Sequence, residues 1–181
     1  MGVFFMIYIY DDIKLRAIEE RDLNILLEMI NDPEIENMTS GYSFPVSEYQ
    51  QRRWFESLVN NDKELRTIIE TKEHGTIGVV MLTDIDWKNR TAQFHSKIAT
   101  SKEIRGKGYG TKATKALVKY AFEQLNLNLI YSHIIDYNVA SQRVKEKCGF
   151  KKDGVLRNRV FKNGKYHDIV VSSIQPGELV E

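Results

Sequence analysis

A single cysteine, Cys148, is all the thiol this 181-residue chain carries. No disulfide can form within the chain, and a reducing interior, the cytoplasm, is the expected compartment. His74, His133 and His167 show no metal-ligand spacing, so no metal is expected. Charge of one sign is also in short supply: 26 Lys and Arg against 25 Asp and Glu leave +1. That balance argues against nucleic acid or an anionic membrane as a partner, and Lys112, Lys115 and Lys119, without interleaved aromatics, read as a solvated helix face. Long apolar runs are missing as well. The start, Val3 to Tyr10, is short, lacks a basic n-region and meets Asp11-Asp12, so it reads as a strand rather than a leader or membrane span. Met6 within it is a second possible start, and as the sixth residue it breaks the Gly2 myristoylation pattern.

What is present is ordinary for a soluble fold: 42% hydrophobic and 28% charged residues, in a length that suits one domain over 1–181. Ile13 and Leu15 alternate with Lys14 and Arg16 as a first strand. Asp22 should cap a helix carrying Leu23, Leu26, Leu27 and Ile30, which Asn31-Asp32-Pro33 stops. Glu34 to Pro45 reads as a polar loop. Ser47 and Gln50 form a capping box for a helix with Trp54, Phe55 and Leu58 on its apolar side. Strands follow over Leu65 to Thr71, Thr76 to Ile85 and Thr91 to Ile98. Ala113, Ala116, Leu117, Tyr120 and Ala121 mark a packed helix, Leu129 to Ile135 another strand. A short helix then places Ala140, Val144 and Cys148 inward and ends at Gly149. Asn163-Gly164 joins two last strands. The class is α+β, or mixed α/β.

The organising stretch is Arg105-Gly106-Lys107-Gly108-Tyr109-Gly110-Thr111, a turn between an extended segment ending near Ile98 and a helix. Alternate glycines let successive N–H groups turn inward, and the helix start adds unpaired N–H groups and the positive dipole end. An anion belongs there. A Walker loop fails, because Gly106-Lys107 and Gly164-Lys165 are followed by Gly108 and Tyr166. The G-x-G-x-G spacing, halfway along the chain, also departs from a dinucleotide fingerprint.

Arg105, Gly108 and Gly110 match [QR]-x-x-G-x-[GA], and together with the strand, helix, second strand and Cys148-Gly149-Phe150 in order, the stretch from Ile13 to Ile174 resembles the GNAT superfamily of N-acetyltransferases. The resemblance implies a largely antiparallel mixed sheet flanked by helices, with a splayed strand pair holding acetyl-CoA. The pyrophosphate would lie on the amides from Gly106 to Thr111 and the pantetheine arm along the strand ending at Ile98. Asn138-Val139-Ala140-Ser141 is similar to the N-x-x-S of the ribosomal-protein N-terminal acetyltransferase branch, which implies Asn138 on the cofactor arm and Ser141 near the sulfur. Expected partners are acetyl-CoA and an amine acceptor: a peptide N-terminus, a polyamine or an amino sugar. The family also implies that a homodimer is a common assembly.

Two departures bear on mechanism. Gln93 follows Ala92 where many members have a glutamate base, and Lys145 stands where many have a tyrosine acid. His95, two residues from Gln93 and on the same strand face, is the candidate base. Asp84, Asp86, Glu34 and Glu36 read as solvated loop charges. Ser141 is the candidate hydrogen-bond donor to the departing thiolate, with Tyr137 in reserve. A lysine-like amine with a pKa of about 10.4 costs about 4.6 kcal/mol to deprotonate at neutral pH, an α-amine only about 1 kcal/mol. The alternative to an enzyme is an acyl-CoA-sensing module of the same fold.

Overall fold

The computed structural model describes residues 8–41, 44–59 and 61–180. Of the expected first strand, Val3 to Ile7 (Met6 included) lies outside the described residues, as does Tyr42; Tyr8–Tyr10 forms β1. The other strands are β2 (Ile13–Arg16), β3 (Leu65–Thr71), β4 (Gly75–Asp86), β5 (Thr91–Ile98), β6 (Leu129–Ile135), β7 (Lys151–Lys162) and β8 (Lys165–Ile174). The helices are α1 (Leu23–Asn31), α2 (Pro33–Asn37), α3 (Glu48–Ser57), α4 (Tyr109–Glu123) and α5 (Val139–Cys148). The eight strands make one sheet in the order β1-β2-β3-β4-β5-β6-β8-β7. Neighbours are antiparallel except β5 and β6, which are parallel, so the mixed, largely antiparallel α+β class holds.

Period-two alternation decides what each face of β5 meets. Ala92 and Phe94 are buried in the main core with Ala113, Ala116, Leu117 and Ala121 of α4. The opposite sheet face carries a smaller cluster, Leu26 of α1 with Ile68, Val79 and Met81, against which Trp54 of α3 packs. At the far edge Asn163 and Gly164 both take positive φ, 51° and 79°, as a two-residue hairpin turn requires. Among the described residues no helix is long and apolar enough to cross a membrane.

Two local expectations are corrected. Asp22 does not cap α1 through its side chain; its carboxylate takes the buried Arg16 guanidinium at 2.7 and 2.9 Å and the Glu19 N–H. The stretch from Glu34, expected to be loop, opens with α2: Asp32 accepts the N–H groups of Glu34 and Ile35, and Pro33 sits in the first turn. Asp-Pro ends one helix and starts another, because proline is tolerated where no N–H partner is needed. The Ser47–Gln50 capping box forms as expected.

The parallel pair is short. β5 and β6 are joined only at Thr91–Leu129, Ala92–Ile130 and Gln93–Tyr131. Past Gln93, β5 stays with β4 as far as Ile98, and β6 stays with β8 as far as Ile135. The two strands therefore part, opening a cleft in mid-sheet.

Gly78 of β4 backs the outer end of β5: a Cβ there would lie 2.3 Å from the Lys97 carbonyl oxygen and 2.9 Å from Ile98 Cα. Backbone must move to admit it. Gly78→Ala is expected to cost about 2 kcal/mol or more, which at this size lowers Tm by roughly 4–8 °C. An unchanged thermal melt would show that the end of β5 shifts freely.

Candidate active site

The cleft holds a cavity of about 520 Å³. One wall is β5 from Phe94 to Ile98, the other β6 from Ser132 to Ile135. Helix α5 contributes Asn138, Ala140, Ser141, Val144 and Lys145, and the segment from Glu34 to Gly41 closes one side. Arg105 and Gly110 complete it at the mouth of the glycine turn.

That turn is built for an anion. Gly106 and Gly108 have φ of 78° and 80°, and the space a Cβ would occupy at each is open. Gly108 caps α4 with no side-chain hydrogen bond, and the first turn of α4 has no acidic residue. Its leading N–H groups are thus open to an anion with no acidic residue in the first turn to compete. Gly110 lies against Ile98 and Val144, where a Cβ would stand 3.6 and 3.7 Å from their methyl groups. The residues present thus fit a pyrophosphate on the turn and a slender arm entering the cleft. Arg105 is ion-paired with Glu34 of α2, and Lys107 lies 3.4 Å from Glu73 and 3.2 Å from His74.

Of the residues singled out in the sequence, His95, Ile98, Arg105, Gly110, Asn138 and Ser141 line one cavity. Gly106, Lys107, Gly108, Tyr109 and Thr111 belong to the turn and first helical turn beside it; the Tyr109 side chain is buried in the core. Tyr137 is placed elsewhere. Its hydroxyl donates to the Asn37 carbonyl at 2.5 Å and its ring meets the edge of His167, centroids 4.7 Å apart. Asn138 is used twice: Oδ1 accepts the Ser141 N–H at 3.0 Å, while Nδ2 donates to the Met38 carbonyl at 2.9 Å.

His95 shares a 3.0 Å hydrogen bond with the Thr83 hydroxyl, and burial, helped by Arg66, lowers its pKa to about 4. The ring stays neutral at physiological pH but is a weak base. Lys97, on the same face, is half-buried; burial and then Arg66 lower its pKa, and among the described residues it has no ion-pair partner. It also borders a second, smaller cavity of about 220 Å³ with Trp54, Arg66 and Met81. Arg66 itself is held by Glu64 at 2.8 Å.

Sequence reasoning noted Lys145 only as a missing tyrosine. It is 3% exposed and lines the cavity, with Nζ 3.6 Å from the Phe94 ring centroid and 5.4 Å from that of Phe150. Its hydrogen bond, to Thr114 Oγ1, is long at 3.4 Å. Burial brings its pKa down to about 7. The inward spacing of Val144 and Cys148 could have placed it near the core, but its aromatic neighbours come from β5 and from beyond α5. Among the described residues no group of three His, Cys, Asp or Glu could hold a metal ion.

Comparison with known proteins bears directly on this cavity. The family model described as "Acetyltransferase (GNAT) domain" matches residues 12–151. Spermidine N(1)-acetyltransferase of Vibrio cholerae is 30% identical over 156 residues, covering 86% of this chain and 88% of that protein. The uncharacterized N-acetyltransferase YokL of Bacillus subtilis is also 30% identical, over 158 residues, covering 87% of this chain and 86% of that one. The crystal structure of the Vibrio cholerae spermidine N-acetyltransferase in complex with CoA and spermine superposes with a TM-score of 0.86 at 28% identity, covering 92% of this chain and 97% of that one.

Two outcomes follow for this site. Gly108→Asp sets a negative charge at the helix start, while Gly108→Asn, tolerant of the same left-handed conformation, does not. Calorimetry should show acetyl-CoA affinity falling at least about tenfold more for Asp than for Asn; equal losses would remove the anion from this turn. For Lys145, the folded chain holds the proton only up to about pH 7, whereas the unfolded chain holds it to about 10.4. The unfolded chain binds more protons between those values, so stability rises with pH across that window. Lys145→Met should raise Tm most below pH 7 and flatten that rise in a melting series.

Proposed function

The chain belongs to the GNAT acetyltransferase family and moves an acetyl group from acetyl-CoA to a primary amine; from that premise we propose that its acceptor is a small amine that also carries an anionic group. One observation carries the reading: Lys97, without an ion-pair partner among the described residues, lies between the two cavities with Arg66 beside it, and the one carboxylate that acts on it, Glu36, is itself paired with Lys162. The carboxylate that lines the larger cavity, Glu34, is already joined to Arg105. A polyamine, cationic throughout, meets like charge here. An acceptor with a phosphate or carboxylate a short distance from its amine would pair with Lys97 and restore its full ammonium character. A phosphorylated amino sugar has that chemistry.

The same reading accounts for the base. With Gln93 lacking a carboxylate and His95 a weak base, the acceptor must supply a neutral amine itself. Amines of low pKa do so at little cost, about 1 kcal/mol at an α-amine's value. The residues for attack are the β5 and α5 walls, which orient the donor's thioester and exclude water. The lone buried cysteine suits a cytoplasmic setting for the reaction.

Thiol release with glucosamine 6-phosphate, glucosamine and spermidine tests the acceptor class. The phosphorylated sugar should give the highest kcat/KM, and Lys97→Met should lower that value about ten- to a hundredfold while leaving glucosamine within about twofold. Spermidine as the best acceptor, or an equal effect of Lys97→Met on all three, would reject this reading.

A further inference from the structure

Lys145 is a buried amine that no carboxylate among the described residues neutralises. A lysine enclosed this way normally meets a carboxylate, yet its neighbours are two aromatic faces and one distant hydroxyl. The Thr114 hydroxyl donates its own proton to the Gly110 carbonyl at 2.8 Å, so it serves Lys145 only as an acceptor. An ammonium has three N–H donors, and one long bond leaves the rest unspent. The side chain lines the cavity on the same α5 face as Ser141, one turn earlier. The cavity end of α5 thus presents a proton donor in apolar surroundings, beside the residues between which the thioester would lie.

We propose that Lys145 is the general acid of acetyl transfer, protonating the departing thiolate. The acceptor nitrogen forms a bond to the thioester carbonyl carbon and the carbon–sulfur bond breaks. The sulfur takes a proton from Nζ and leaves as the thiol of CoA. The acylated nitrogen releases a proton to solvent, and Nζ recovers one from solvent, so the chain ends as it began. The aromatic rings favour the ammonium through their faces while burial disfavours it, and the balance near neutrality suits proton donation at working pH. The titratable groups that face it are Cys148 on α5, whose thiol burial pushes up, and His95 on β5, which is neutral; Lys115 on α4 acts on it only through Cys148. The proposal does not depend on the acceptor class, since it concerns the leaving group alone.

Hydroxylamine is the probe, because it is far less basic than an alkyl amine and needs neither a base nor the anion site; kcat is read at concentrations that saturate its neutral form. With acetyl-CoA and hydroxylamine, and the enzyme-free rate subtracted, wild-type kcat should hold below pH about 7 and then fall about tenfold per unit as Lys145 loses its proton. Lys145→Met should lower kcat about a hundredfold at pH 6.5, abolish the alkaline limb and change KM for acetyl-CoA less than about twofold, with acetyl-CoA affinity confirmed by calorimetry. Lys145→Tyr supplies another ionisable donor; it should restore activity and move the limb toward about 10. A wild-type limb that persists in Lys145→Met, or a rate for that variant within about threefold of wild type, would overturn the assignment.

Discussion

Three backbone pairings between parallel β5 and β6, and no more, set the architecture of this molecule. Each strand continues outward with an antiparallel neighbour on its other side, so both are held while they no longer pair with each other. Unpaired backbone in a sheet is costly unless something else supplies the partner. An extended arm lying between the strands would supply one, as a peptide does when it adds to a sheet edge. The cleft and its need for a ligand are thus one feature, and α4, α5 and the glycine turn are arranged around its mouth.

What closes the cleft comes from the first quarter of the chain. The segment from Glu34 to Gly41 is tied across to the C-terminal half: the Tyr137 hydroxyl to the Asn37 carbonyl, Asn138 to the Met38 carbonyl, Lys162 to the Glu36 carbonyl at 2.9 Å, Asn163 to the Asn37 side chain at 2.7 Å. Each bond spans 100 residues or more. At the base of the same layer Arg16 holds Asp22 and Glu70 at 2.7 Å each. A short helix and its C-terminal end tied this heavily make a rigid wall, which suits selectivity by charge.

The glycine turn and the helix it opens were legible in the sequence because their determinants are local. A glycine with positive φ, a helix start and a strand end can be read within fifteen residues, and Arg105, Gly110, Ile98, Asn138 and Ser141 duly share one cavity. Other properties depend on distant partners. Asp22 looked like a cap because its partner Arg16 lies on another element, and α2 was hidden because Asp-Pro signals a stop and a start alike. His95 has the right chemistry in isolation, yet burial and Arg66 remove its basicity. Lys145 appeared as a gap in a pattern, when Phe94 and Phe150 make it an unusual amine.

The ion pair between Arg105 and Glu34 joins the donor turn to the acceptor wall. A guanidinium has five N–H donors, so a phosphate on the turn would share Arg105 with Glu34 rather than displace it. The charge that Glu34 presents to the cavity would then depend on whether the turn holds an anion, since both draw on one cation. Such dependence is reciprocal by thermodynamic necessity: the factor by which one substrate alters the other's affinity is the same in either order of addition. A coupling of that kind, carried by one guanidinium, would need no movement of the sheet.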